Sequence, residues 1–363
     1  MDKQGRKAYA ALLTNEAYLP GLVRLFLSLR GLLKHEDAVA ATDAPFGAIV
    51  QLLLDHTLKQ VSTRYPLVVL TTASFPEKHL ALLTALGIEY RKVDLLEPKG
   101  EVKLIAERFR DTWSKLQAFA LEDYERIVLL DCDMTVFENI DHLLDDDDIL
   151  PGPDWIAASH VCACNPLDED WYLPDCKPEN CAFTYAESQS TAAPPPASML
   201  SQKRTYGLLN SGLVVLRPSR ALHDRIVSHL HTSPTVATMA LPDQDLLGEV
   251  FAGRWTPLPW RMNALKTFRW VHPDLWFTEG ANGRKVEGRD RNEMQGEGHG
   301  ISVLHYIVEK PWLEALPADS RDAETHRWWW ADWDKMLEAW RRDAKLQSYV
   351  DSVQALVVAG QQV

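Results

Sequence analysis

Residues 127–135 read IVLLDCDMT: four apolar residues, then two aspartates separated by one cysteine. The apolar run has the composition of a buried strand, and packing alone gives no reason for two carboxylates at its end. Working outward, KAYAALLT (7–14) predicts a strand, and YLPGLVRLFLSLRGLL the helix after it. YPLVVLTT (65–72) predicts a second strand, PEKHLALLTALG (76–87) a helix and IEYRKVDL (88–95) a third strand. TWSKLQAFALEDY (112–124) reads as helical and leads into RIVLLDCD. Apolar strands alternating with amphipathic helices predict an α/β fold, a parallel sheet covered on both faces. Ligands bind such sheets beyond the carboxyl ends of the strands, where Thr14, Thr72, Asp131 and Asp133 fall.

The rest of the chain is less regular. Residues 151–206 form a cysteine-bearing insert that ends in ESQSTAAPPPASMLSQ (187–202), a surface loop by composition. Regular structure resumes in YGLLNSGLVVLRPS (206–219), a strand containing a turn-like Asn-Ser-Gly. A loop-like stretch over 277–300 precedes the strand ISVLHYIV (301–308). The last forty or so residues read as helical, and Trp328, Trp329 and Trp330 cannot all share one helical face. Docking of that helix on the core is the simpler use for them, ahead of a sugar-stacking platform. The expected division is a catalytic domain over 1–315 and a helical C-terminal extension over 316–363.

Charge narrows the function. With 38 Lys and Arg against 51 Asp and Glu the net charge is −13, which argues against a nucleic-acid backbone or an anionic membrane as main partner. An anionic substrate then needs a local basic site or a metal ion. The start, MDKQGRKAYAALLTNE, shows no secretory signal. GLVRLFLSLRGLLK (21–34) is interrupted by Arg24 and Arg30, well short of a membrane span. A soluble, cytoplasmic protein is expected. Of five cysteines, four lie in CACNPLDEDWYLPDCKPENC (162–181). Cys162, Cys164, Cys176 and Cys181 allow a zinc site, two disulfides or free thiols, and a cytosolic setting favours reduced thiols.

Two chemistries use carboxylates spaced as Asp131 and Asp133 are. In haloacid-dehalogenase-type phosphatases the first aspartate attacks phosphorus. In many nucleotide-sugar-dependent glycosyltransferases the pair grips a divalent cation that neutralises a diphosphate. A phosphatase nucleophile belongs near the start of its domain with a late acidic pair. Here about 130 residues come first, and the acidic run DDDD (145–148) follows too closely.

Several stretches, taken in order, resemble the family 8 glycosyltransferases, the group containing glycogenin and galactinol synthase. The likeness runs over roughly residues 8–315. In LLTNEAYLPG (12–21), Thr14, Asn15 and Tyr18 match the positions that hold uridine. DTWSKLQAFALEDYERIVLLDCDMTVFENIDHLL (111–144) is the longest match. It implies donor contacts from Lys115, Asp131, Cys132 and Asp133, with Asp131 and Asp133 as the metal pair and Arg108 or Arg110 as a further cation. LLNSGLVVLRPS (208–219) places Asn210 at the donor sugar, with Gly212 admitting close backbone approach. PDQDLLGEVF (242–251) places Asp243 and Gln244 beside the anomeric carbon, and WRMNALKTF (260–268) carries Asn263. VLHYIVEKPW (303–312) supplies His305 as a metal ligand and Lys310 for a phosphate oxygen.

The resemblance implies a GT-A, Rossmann-like fold: a mixed, mostly parallel sheet flanked by helices, with a helical C-terminal extension. It implies a metal-dependent hexosyltransferase that moves glucose, galactose or N-acetylglucosamine from a UDP-sugar, with retention, to a hydroxyl acceptor such as a polyol, glycan or lipid. Mn2+ or another divalent cation is the implied cofactor, and a homodimer is compatible. A phosphatase using Asp131 as nucleophile and a non-catalytic nucleotide-sugar-binding protein are the alternatives. Departures from the family pattern are specific. Ala240 stands where glycogenin has a second aspartate, which favours a front-face route over a covalent one through Asp243. Trp270 stands at glycogenin's self-modified tyrosine, so self-glucosylation there is impossible. Between His305 and Lys310 the chain has one residue fewer than glycogenin, and no glycine.

Overall fold

A computed structural model describes residues 5–31, 62–102, 104–106, 109–189, 191–279, 285–287 and 300–358. Its centre is a seven-stranded sheet in the order β3-β2-β1-β4-β7-β6-β8. The strands are β1 (Lys7–Leu13), β2 (Leu67–Thr71), β3 (Glu89–Lys92), β4 (Arg126–Leu130), β6 (Ile156–His160), β7 (Leu209–Leu216) and β8 (Trp255–Pro257). β1 pairs in parallel with both β2 and β4, in the registers Tyr9↔Leu67 and Tyr9↔Val128. These continuous apolar runs are buried on both faces, as a sheet between two helical layers requires.

Alternate residues feed two cores. Tyr9, Ala11, Leu13, Val128 and Leu130 pack on one side with helix Leu19–Leu29 and the C-terminal helix Ala323–Arg342. Ala8, Ala10, Ile127 and Leu129 pack on the other with helices Arg220–Thr232 and Pro242–Val250. β7 is the antiparallel member of the mixed, mostly parallel sheet that the resemblance implies: it runs antiparallel to β4 and to β6. Its beginning therefore lies beside the end of β4, and the Asp131 amide donates to the Gly212 carbonyl at 2.9 Å.

Past Leu130 the chain leaves this sheet and, within four residues, enters a second one. β5 (Met134–Val136) lies antiparallel to β12 (Val303–His305), which also pairs with β9 (Ala264–Leu265). The expected strand over 301–308 is thus only three residues long. A short hairpin of β10 (Phe277–Glu279) and β11 (Lys285–Glu287) falls in the loop-like stretch, most of which lies outside the described residues. The predicted first helix is seen to Leu29, with Gly31 at φ 67°, and residues 32–34 lie outside the described residues.

The segment expected as a helix over 112–124 is instead a 3-10 run, Thr112–Ala120. Its sequence explains the difference. Trp113, Leu116 and Phe119 recur every third residue and are all buried against the sheet, and a 3-10 helix puts i and i+3 on one line. Lys115 is thereby turned toward the end of β4.

The C-terminal helix docks as the tryptophans suggested. Trp329 is buried, 4.8 Å from Trp333 and 5.4 Å from Trp312 between ring centroids. Trp328 turns aside to stack on Trp276 at 6.2 Å. Arg24 of the first helix forms a buried ion pair with Asp332. Among the described residues no helix is long and apolar enough to cross a membrane.

Removing one partner of a buried pair leaves the other charge poorly compensated. Asp332→Ala is expected to lower unfolding free energy in urea by about 3–5 kcal/mol. Arg24→Met with Asp332→Leu is expected to recover most of that loss.

Candidate active site

The carboxyl end of β4 opens into a cleft of about 660 Å³. Thr14, Asn15 and Tyr18 from the end of β1 line it, with Lys115, Asp131, Cys132, Asp133, Asn210, Asp243, Gln244, His305 and Lys310. Some of these residues are separated by nearly 300 positions in the chain, yet every sequence-predicted site residue except Asn263 is on its wall. Arg110 is there too, whereas Arg108 lies outside the described residues.

The floor is built by the crossover between the two sheets. The Tyr306 amide donates to the Asp133 carbonyl at 2.9 Å, so β12 is stitched to the turn carrying both aspartates. That brings His305 Nε2 within 3.3 Å of Asp133 Oδ1 and 3.7 Å of Asp131 Oδ2. Neighbouring ligands in an octahedral shell are about 3 Å apart, so the three atoms fit a divalent cation with little adjustment. The chemistry of the set fits as well: two carboxylate oxygens and an imidazole suit a cation such as Mn2+.

Asn263 acts one shell out. Its Oδ1 lies 2.9 Å from His305 Nδ1, and its amide donates to Asn210 Oδ1 at 2.7 Å. With Nδ1–H held by Asn263, the lone pair of Nε2 points to the two carboxylates. Asn210 Oδ1 also accepts the Gly212 amide at 2.9 Å, which fixes the turn inside LLNSG. Gly212 has a different use from the one expected. A Cβ there would meet His305 Cε1 at 2.5 Å, so the missing side chain makes room for the imidazole.

Two lysines balance the acidic floor. Lys115 Nζ lies 2.6 Å from Asp131 Oδ1 and 3.3 Å from Asp243 Oδ2. Lys310 Nζ pairs with Asp133 and also donates to the Tyr306 carbonyl at 2.7 Å. Burial opposes charge on Lys115, but Asp131 and Asp243 outweigh it and hold the ammonium charged. Desolvation pushes the Asp131 carboxyl up, against the pull of Lys115. Burial also acts to raise Asp133, yet Lys310 and His305 hold that carboxyl well below the usual range.

Other predicted residues have more structural work than expected. The Cys132 thiol donates to the Leu12 carbonyl at 3.0 Å, so this side chain faces β1 and only its backbone is offered to a ligand. Asn15 Oδ1 accepts the Ala17 amide at 2.9 Å and caps the turn that presents Tyr18. Trp270 donates to Asp322 Oδ1 at 3.1 Å, away from the cleft wall. The acidic run serves as structure: Asp145 binds Lys7 and Tyr65, and Asp147 binds Arg126. It offers no second acidic pair to a phosphatase.

Two site features escaped the sequence reading. Trp312 meets Tyr18 edge to face at 6.1 Å and donates to the Ala17 carbonyl at 2.7 Å, and it packs where a Cβ on Gly21 would be 2.6 Å away. It ties the C-terminal motif to the turn that presents Tyr18. Val308, three residues after His305, has φ 63°. A β-branched residue is strained there. The chain makes a left-handed turn there without glycine, the residue that adopts it most easily.

The family model described as Glycosyl transferase family 8 matches residues 10–315. Galactinol synthase 1 of Ajuga reptans is 26% identical over 280 residues, covering 75% of this chain and 73% of that protein. Galactinol synthase 6 of Arabidopsis thaliana is 26% identical over 287 residues with the same coverage. Among solved structures, the WbbM bifunctional glycosyltransferase aligns with TM-score 0.51 at 16% identity, over 94% of this chain and 52% of that one. The chain thus spans about half the length of that enzyme. An active-site mutant of LgtC aligns with TM-score 0.50 at 15% identity, over 90% of this chain and 95% of that one. These two likenesses show the fold, which is GT-A.

Loss of an outer-shell partner typically weakens a metal site 10–100-fold. Asn263→Ala is expected to weaken divalent-cation binding by about that factor in calorimetric titration while leaving the circular dichroism spectrum unchanged. Val308→Gly removes roughly 1–2 kcal/mol of left-handed strain and adds about 0.5–1 kcal/mol of chain entropy. Its urea-measured stability is expected to stay within about 1 kcal/mol of the parent.

Proposed function

The chain belongs to glycosyl transferase family 8, and on that premise we propose that it moves a hexose from a UDP-sugar to a hydroxyl acceptor, with Mn2+ as cofactor and retention at the anomeric carbon. The observation that carries this reading is the convergence of Asp131, Asp133 and His305, whose ligand atoms lie within 4.8 Å of one another at the floor of the cleft. When bound there, the cation supplies charge stabilisation to the leaving diphosphate. Thr14, Asn15 and Tyr18 hold the uridine at the end of β1. Lys115 and Lys310 sit beside the carboxylates and add positive charge where the diphosphate lies. This local cluster meets the requirement set by a net charge of −13.

The anomeric carbon falls beside Asp243 and Gln244, both buried at the start of their helix. Asp243 is already held by Lys115 at 3.3 Å, and Ala240 supplies no second carboxylate. That pairing favours a front-face route, in which the departing phosphate takes the acceptor's proton and Asp243 orients the acceptor or stabilises positive charge on the sugar. The relatives named for galactinol synthesis support a polyol as acceptor.

The expected result is Mn2+-dependent release of UDP from at least one of UDP-glucose, UDP-galactose and UDP-N-acetylglucosamine, accelerated by a polyol. Asp133→Asn is expected to lower turnover by about 10²–10³-fold or more, with folding checked by circular dichroism. UDP release that is indifferent to Mn2+ would contradict the metal assignment. Donor binding with neither hydrolysis nor transfer would leave a binding protein. A covalent sugar adduct on Asp243 in intact-protein mass spectra would overturn the front-face route.

A further inference from the structure

The cysteine-bearing insert brings together a second set of metal-ligating atoms, distinct from Asp131, Asp133 and His305 in donor type. Cys162 and Cys164 follow β6 directly, Cys181 stands before helix Ala182–Glu187, and His272 lies between the short helices Phe268–Val271 and Pro273–Trp276. Their three sulfurs and one imidazole nitrogen all lie within 4.8 Å of one another. His272 Nε2 is 3.4 Å from Cys162 Sγ, 3.4 Å from Cys164 Sγ and 3.7 Å from Cys181 Sγ. A tetrahedral zinc ion with Zn–S of about 2.3 Å and Zn–N of about 2.05 Å has sulfur-to-nitrogen edges of about 3.6 Å. The observed edges bracket that value.

The other ring nitrogen supports the same reading. His272 Nδ1 lies 3.0 Å from Glu187 Oε2. A proton on Nδ1 directed at Glu187 leaves the Nε2 lone pair aimed at the three thiols, the arrangement by which a carboxylate orients a metal-binding histidine. Cys162, Cys181 and His272 are buried and Cys164 is half-buried; although Cys162 also borders the cleft, four protein donors fill a tetrahedral shell and leave no open position for substrate. Cys176 stands outside it, its sulfur accepting from Arg204 Nη2 at 3.4 Å. No disulfide joins any of the five cysteines.

We propose that Cys162, Cys164, Cys181 and His272 bind one zinc ion as a closed, four-coordinate structural site. The three thiols release their protons to solvent as the ion binds. The ion clamps the insert to the helix pair at 268–276. Between Cys164 and Cys181 runs the loop that sends Leu167, Glu169, Trp171 and Tyr172 to the cleft wall, and residues Asn165 and Asp168 in it take left-handed conformations, φ 45° and 54°. A zinc anchor at both ends of this loop holds it over the cleft without a large core of its own.

The test is metal content of the full chain, purified under reducing conditions without a metal-affinity tag and washed with a weak chelator. One equivalent of zinc per chain is expected. Native mass spectrometry should show the chain plus one zinc ion. Cobalt substitution should give intense thiolate-to-metal absorption and tetrahedral d–d bands. Cys181→Ser and His272→Ala should lower zinc to background or abolish soluble protein, while Cys176→Ser and Asp133→Asn should each retain the full equivalent. Zinc at background in the parent chain, or a disulfide among Cys162, Cys164 and Cys181, would overturn the proposal. So would loss of the zinc in Asp133→Asn, which would assign it to the other site. None of these readings depends on sugar transfer.

Discussion

The structure depends on a four-residue crossing. At Leu130 the chain ends the central strand of the large sheet, and at Met134 it starts the edge strand of the small one. The three residues between have no ladder of their own, so their backbone groups are satisfied by the flanking strands: Asp131 by Gly212 and Asp133 by Tyr306. Each of those partners belongs to a segment that carries a site residue. β7 carries Asn210, and the end of β12 is His305. Pinning the crossing therefore assembles the metal-capable set, and it does so with backbone hydrogen bonds rather than with flexible side chains.

Charge follows from that geometry. Asp131, Asp133 and Asp243 crowd the floor of one cleft, an arrangement that costs free energy unless cations lie close. Lys115 and Lys310 supply them from opposite sides of the turn. Lys115 can do so because its 3-10 segment aligns Trp113, Leu116 and Phe119 against the sheet and leaves it facing the carboxylates. The acidic chain thus carries two ammonium groups at the floor of its cleft.

Much of this was legible in the sequence, for identifiable reasons. Strand β4 and its carboxylates could be read because a fully apolar run leaves polar residues at its end without a packing role. The parallel half of the sheet was legible from alternation of strands and helices, whereas the reversal of β7 has no local signature. The 3-10 segment was misread as an α-helix because its triplet spacing overlaps the helical pattern. Asn263 was marked only by resemblance, since its bond to His305 spans 42 residues. His272 was missed altogether. It lies 91 to 110 residues from the thiols it meets, and the four clustered cysteines suggested a set of their own that the fold does not assemble. Val308 takes a left-handed backbone conformation that a valine in the sequence does not announce.

The central claim is that one divalent cation is gripped jointly by Asp131, Asp133 and His305. Crystals grown with Mn2+ and UDP, measured at a wavelength where manganese scatters anomalously, test it directly. The account predicts a single strong anomalous peak in the cleft within bonding distance of Asp131, Asp133 and His305 Nε2, with the diphosphate completing its shell. UDP bound in the cleft with no peak among these three side chains would contradict it.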